Sequence, residues 1–189
     1  ISRVAAAREA LPNARLKVDA NMGYTLDGAL EALRKLCEYG IIYAEQPVAT
    51  IEDMAALRFA IAKEGLPARI AADESIRKAE DPLKVARANA ADLMVIKAAP
   101  LGGVRRALAL VEQAQLPAVV SSALESSVGI GVGASLAASL PTLKYGCGLG
   151  TVSLMAEDVT DEPLIARDGF MDLRAITPSP QRLARLATD

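Results

Sequence analysis

Six short β-like runs recur along the chain at steps of about 25 residues. They occupy residues 15–18, 41–44, 69–72, 93–96, 118–120 and 143–145. Stretches of helical period lie between them. Residues 27–38 place Leu30, Leu33 and Cys37 on one face and Glu31, Arg34 and Lys35 elsewhere. Residues 50–63 open on Thr50 as an N-cap, with Asp53 in the capping-box position. Residues 81–88 begin with Asp81-Pro82, a cap followed by proline in the first turn. Residues 103–114 follow a glycine pair, and residues 126–139 stop before Pro141. Alternating strand and helix signals predict βαβ units and a parallel sheet. A doubly wound sheet and a (β/α) barrel both fit the beat. Beyond Gly150 the pattern changes. Residues 151–154, 163–166 and 170–173 read as short antiparallel strands around an Arg167-Asp168-Gly169 turn, and residues 181–187 as a brief helix. The predicted division is therefore 1–150 for the β/α repeat and 151–189 for a different layer.

Composition narrows the chemistry. With 52% apolar and 23% charged residues in a length of 189, the chain can bury a core. A formal net charge of −2 and 3% aromatics argue against nucleic acid as a partner. The opening segment is interrupted by Arg3, Arg8 and Glu9 and lacks a signal-peptide core. The best apolar stretch, residues 128–140, is shorter than the roughly 18 residues a spanning helix needs. The expectation is a cytoplasmic protein with Cys37 and Cys147 reduced. There is no histidine, which removes Ser-His-Asp triads, imidazole bases and His-ligated metals. Any catalysis falls to carboxylates, lysines, hydroxyls, backbone dipoles or a metal held by oxygen.

Those groups sit in one phase. Asp19, Glu45, Asp73, Lys97 and the pair Ser121-Ser122 each follow an apolar run, at the carboxyl end of five successive strands. In a barrel that end is the functional face and all five groups share one mouth, so the common register favours the barrel. A single acid at a strand end is commonly a helix cap or a loop hydrogen-bonder. Three acids and a lysine in the same phase are poorly explained that way. Three carboxylates without thiolate or imidazole suit a hard divalent ion, Mg²⁺ first and Mn²⁺ second. Such an ion with a lysine fits proton removal next to a carboxylate, where charge develops on the carboxyl oxygens of an enediolate.

The motifs VDAN, EQP, ADES and VIK, in this order and spacing, resemble the enolase superfamily and its muconate-lactonizing subgroup. The longer stretches EQPVAT, ADESIRKAEDPLKVA, IKAAPLGGV, SSALESSVGIG and YGCGLGT are similar to the actinobacterial type of o-succinylbenzoate synthase. The resemblance implies an α/β enolase-type barrel of which about six of eight strands are present, with 151–189 returning to a capping domain. It implies Asp19, Glu45 and Asp73 as magnesium ligands, Lys97 as a catalytic lysine, and Asn21 and Glu74 as supports of the metal shell. Ser121 and Ser122 would lie near the succinyl carboxylate of a small-molecule substrate. The implied reaction is a syn dehydration yielding o-succinylbenzoate, on the route to menaquinone. N-succinylamino acid racemase and dipeptide epimerase of the same superfamily are alternatives, as is a metal-binding barrel without catalysis. The family also carries a Lys-x-Lys base upstream of the VDAN strand. No such motif occurs in this sequence, and Lys17, which precedes Asp19 on its strand, is no substitute. The resemblance thus implies an N-terminally shortened enzyme, with this stretch inactive or nearly so by itself.

Two weaker signals have simpler readings. Gly129-Ile130-Gly131-Val132-Gly133-Ala134 satisfies a loose dinucleotide-binding pattern, but no strand leads directly into it, and a closely packed helix accounts for its small residues. Cys147 lacks an activating partner and reads as an inert thiol.

Overall fold

The computed structural model describes residues 1–78 and 80–187. The chain forms two compact units, one made of Ile1–Val95 with Ala114–Leu116 and the other of Ile96–Gln113 with 117–189.

In the first unit, α1 (Ser2–Ala10) leads to β1 (Val18–Asp19), α2 (Leu26–Cys37), β2 (Ala44–Glu45), α3 (Ile51–Glu64), β3 (Ile70–Ala72), α4 (Asp81–Arg87) and β4 (Leu93–Ile96), the last crossing into the second unit at Ile96. The strands β1 to β4 lie side by side in chain order and are all parallel. β3 and β4 are buried along their whole length, as a sheet covered on both faces requires. Helix starts follow local chemistry. Thr25 Oγ1 accepts from Gly28 N at 3.2 Å, and Thr50 Oγ1 accepts from Asp53 N at 3.0 Å, which confirms the Thr50 cap. Gly65 closes α3 in the left-handed conformation at φ 66°. The buried stripe of α2 is Ala29, Leu33 and Leu36, with Leu30 and Cys37 flanking it. That face is rotated from the expected Leu30-Leu33-Cys37 face. The helix contacts α3, whose Met54, Leu57 and Ile61 are buried.

The second unit carries α5 (Val104–Ala114, its last residue in the first unit), β5 (Ala118–Val120), α6 (Ser127–Ser139) and α7 (Pro180–Leu186). Ser121 N donates to Ile96 O at 2.9 Å. The expected strand at 143–145 does not form. Pairing moves to an isolated parallel bridge between Ser121 and Gly148, where Gly148 N donates to Val120 O and Ser122 N to Gly148 O, each at 2.9 Å. A Cβ at Gly148 would lie 2.8 Å from Ser121 Oγ, so any side chain there would displace the Ser121 hydroxyl. The glycine-rich segment gives a ladder little side-chain support on either side.

The three antiparallel strands expected after Gly150 are also absent. Thr151–Leu154 is a 3-10 turn, and a single bridge joins Arg167 to Phe170 across Asp168 (φ 50°) and Gly169 (φ 81°). Successive positive φ values at an Asp-Gly pair are the tight hairpin geometry, so the turn forms without the strands. The glycines of the loose dinucleotide pattern lie inside α6. A Cβ at Gly133 would stand 2.9 Å from Leu149 Cδ2, and one at Gly131 would stand 3.2 Å from Ile176 Cγ1. Close packing explains them. Among the described residues no helix is long and apolar enough to cross a membrane.

Candidate active site

Register decides which acids share a face. Asp19 pairs with Glu45, and Glu45 with Ala71. Side chains alternate along a strand, so Asp73, two residues beyond Ala71, lies on the same face as Glu45 and Asp19. All three carboxylates therefore belong to one face at the carboxyl ends of consecutive parallel strands. Asp19 is exposed, Glu45 half-buried and Asp73 buried.

The turns that carry these acids are tied together. Asn21 N donates to Asp19 Oδ1 and Asn21 Nδ2 to Asp19 Oδ2, both at 2.9 Å. The same Nδ2 reaches Glu74 Oε1 at 3.3 Å, linking the end of β1 to the 3-10 turn Glu74–Ile76 that follows β3. Asn21 and Met22 hold positive φ values of 42° and 62°. Non-glycine residues adopt that region where the surroundings impose it, often at functional sites. Asn21 thus bonds both Asp19 and Glu74. Lys17 instead places its ammonium 5.5 Å from the centre of the Tyr43 ring.

Sequence reasoning assigned no role to Gln46 or Ser75. Gln46 is fully buried at the end of β2, where its Oε1 accepts from Asp73 N and Ser75 N at 3.1 Å each. The one available signal was a polar residue between an acid and Pro47, directly after a strand.

Lys97 follows the last residue of β4, half-buried, in the second unit. Ser121 and Ser122 follow β5 and differ in how their hydroxyls are engaged. Ser122 Oγ donates to Glu125 Oε2 at 2.8 Å, lies 2.6 Å from Thr151 Oγ1, and accepts from Leu124 N at 2.9 Å. Ser121 Oγ makes a longer contact, 3.4 Å, to Gly148 O. Both cysteines are free, and burial raises the Cys37 thiol above its ordinary value.

Among the described residues no group of three or more acids, thiols or imidazoles stands close enough to hold a metal ion. The donor chemistry nonetheless suits one. Every candidate ligand is a carboxylate oxygen, and Glu74 Oε2 is buried without a hydrogen-bond partner, a position that a nearby cation would relieve.

Parallel strands bearing polar groups at their carboxyl ends accord with a barrel-type (β/α) domain. The chain belongs to the enolase C-terminal domain-like family, which matches residues 1–178, and enolase-superfamily members generally use a divalent metal, typically Mg²⁺. It is similar to the o-succinylbenzoate synthases of Mycolicibacterium smegmatis (53% identity, 99% of this chain and 56% of that protein) and Thermobifida fusca (47%, 100% and 58%). Among solved structures it is similar to the muconate lactonizing enzyme of Pseudomonas fluorescens in complex with muconolactone. That likeness has a TM-score of 0.87 and 30% identity, over 97% of this chain and 51% of that one. The chain spans about half the length of the curated relatives it matches.

Proposed function

We infer that the chain is part of an o-succinylbenzoate synthase. Such an enzyme removes water from 2-succinyl-6-hydroxy-2,4-cyclohexadiene-1-carboxylate to give o-succinylbenzoate for menaquinone synthesis. The observation that carries this reading is the similarity, over nearly the whole chain, to synthases from several actinobacteria. The strand-end carboxylates support it. A cytoplasmic setting accords with two free thiols.

In this reading Asp19, Glu45 and Asp73 hold Mg²⁺, with Mn²⁺ able to replace it. Asn21 orients the Asp19 carboxylate through two hydrogen bonds and reaches Glu74 with the same side-chain amide. When bound, the ion stabilises negative charge developing on the carboxyl oxygens of the substrate. Lys97 supplies a second positive charge for that development. The reaction removes the ring proton next to the carboxylate and expels the ring hydroxyl, so that water leaves and the ring becomes aromatic. The proton acceptor implied by the resemblance is the Lys-x-Lys lysine, a motif this sequence does not contain. In the same reading Ser121, through its less engaged hydroxyl, binds the succinyl carboxylate and Ser122 holds the loop. The segment 151–189 returns to a capping domain. Its exposed Leu154, Ile165, Phe170 and Leu173 accord with a surface that another part of the protein covers.

The test is to incubate the full-length protein with Mg²⁺ and the cyclohexadiene substrate and follow o-succinylbenzoate by absorbance. Lys97→Ala should lower turnover by about a hundredfold or more, and residues 1–189 alone should show none. A Mg²⁺-loaded protein that racemises N-succinylamino acids but forms no o-succinylbenzoate would refute the assignment.

A further inference from the structure

Gln46 reaches the strand-end turns on both sides of its own. It follows Glu45 and is wholly buried, with a backbone φ of 34° that L side chains rarely adopt. Its main chain engages both neighbouring strands. Gln46 N donates to Ala71 O on β3 at 2.8 Å, and Gln46 O accepts from Met22 N, in the turn after Asp19, at 2.7 Å. Its side chain extends the same link. Oε1 accepts from Asp73 N and Ser75 N at 3.1 Å each. Nε2 donates to Ser75 Oγ at 2.8 Å and Val48 O at 2.9 Å, with Met54 Sδ at 3.1 Å.

A carboxamide suits this place because one end must accept two N–H groups while the other donates to two oxygens. A carboxylate would face Val48 O with an acceptor, and an aliphatic chain would leave the buried Asp73 N–H without its partner. The positive φ turns the Gln46 side chain away from the strand alternation and under the turn that carries Asp73 and Glu74. One residue thereby joins the turns after β1, β2 and β3, each of which bears one candidate ligand.

We propose that Gln46 is a positioning residue that fixes the three turns from which Asp19, Glu45 and Asp73 would reach a divalent ion. This rests on the metal-site reading above. Gln46 touches neither ion nor substrate. It acts by fixing the backbone from which the ligands project, with Ser75 and Met54 closing the amide's surroundings.

Mn²⁺ binding is the direct readout, taken from the electron paramagnetic resonance signal of the free ion during titration of the full-length protein. Wild type is compared with Gln46→Met, which keeps the length and adds no charge, and with Ser75→Ala. Titrations are made well below the thermal midpoint of each metal-free variant, so a loss of stability alone would leave affinity unchanged. Gln46→Met should bind Mn²⁺ about 10- to 100-fold more weakly at the same stoichiometry, and Ser75→Ala should weaken binding by a smaller factor. A folded Gln46→Met with affinity within about twofold of wild type overturns the proposal. If Gln46→Met does not fold, Ser75→Ala decides: measurable weakening supports the proposal and unchanged affinity overturns it. A wild type that binds no Mn²⁺ refutes the metal-site reading and this inference together, whereas binding that the variants share refutes this inference alone.

Discussion

Asp158 caps helix α6 from outside it, across 31 residues of chain. Its Oδ1 accepts from Ser127 N at 3.1 Å and its Oδ2 takes the Ser127 hydroxyl. Ser126, in the N-cap position, makes no side-chain cap of its own, so a distant carboxylate supplies the acceptor that the helix start needs. The same Oδ1 accepts from Val159 N at 2.8 Å, and Ser127 Oγ accepts from Leu164 N at 2.7 Å. Both residues are buried, and the pair fastens the segment after Gly150 to α6. Asp158→Ala leaves several buried donors without acceptors and should cost about 3 kcal/mol. Asp158→Asn, which keeps an acceptor oxygen, should cost about half of that. Urea unfolding midpoints at unchanged slope measure both.

Arg58 should matter for stability and not for chemistry. From α3 it reaches Asp92 Oδ1 through Nη2 at 2.5 Å and Nε at 3.2 Å, and Asn89 O through Nη1 at 2.6 Å. Asp92 Oδ2 accepts from Ile70 N at 2.8 Å, so the cluster fixes the amino-terminal ends of β3 and β4. Arg58→Lys keeps the charge but loses the planar fork and should cost about 1 kcal/mol, and Arg58→Ala about 2 kcal/mol. Turnover by the full-length protein should be unchanged, because the acids lie at the opposite ends of the strands.

Two nearby glycines should respond differently to the same substitution. At Gly148 a Cβ would meet Ser121 Oγ at 2.8 Å, whereas at Gly150 nothing stands within 4 Å of one, and its φ is −86°. Gly148→Ala should destabilise by about 1–3 kcal/mol and displace Ser121, while Gly150→Ala should be nearly neutral. Thermal melts of the two variants measure the contrast. Equal effects would show that the bridge at Gly148 tolerates a side chain.

The Arg34–Glu64 pair between α2 and α3 predicts a pH and salt signature. The Arg34 guanidinium donates to both Glu64 oxygens, at 2.8 and 2.7 Å, and holds that carboxyl below its ordinary value of 4.5. A lowered carboxyl contributes stability that is present above the ordinary value and lost as pH falls through the folded value. Wild type should therefore melt above Glu64→Gln at neutral pH, and the gap should close as pH falls below the ordinary carboxyl value. The pair is exposed, so about 1 M salt should narrow the gap at neutral pH as well.

A divalent ion should stabilise the folded protein through its strand-end acids. Adding Mg²⁺ should raise the thermal midpoint, with a gain of about 2.7 kcal/mol at a hundredfold excess over Kd, and a chelator should reverse it. Asp73→Asn should abolish the gain while leaving the metal-free protein folded. A midpoint that ignores Mg²⁺ in wild type would count against the ligand assignment.

The α/β alternation, the Thr50 cap and the acid at the end of each early strand were legible from residue order alone, because helical period, capping chemistry and the end of an apolar run are local properties. The same holds for the Asp168-Gly169 turn, which needs only its own backbone freedom. The strands expected around that turn, and the strand at 143–145, were not decided locally. A short apolar run becomes a strand only when a partner aligns with it, and the pairing went to Gly148, where a Cβ would crowd the Ser121 hydroxyl. The face of α2 was likewise settled by tertiary packing, which buries Ala29, Leu33 and Leu36 and leaves Leu30 and Cys37 at the flanks. Residue order placed Asp19, Glu45 and Asp73 at strand ends. Only register put them on one face, since a slip of a single residue in a parallel pair would send a carboxylate to the opposite side. Gln46 is the clearest case of what order conceals. A glutamine after a strand carries no local mark of its bonds to Asp73 and Ser75, because those partners lie 27 and 29 residues away and meet it only when β2 and β3 pair.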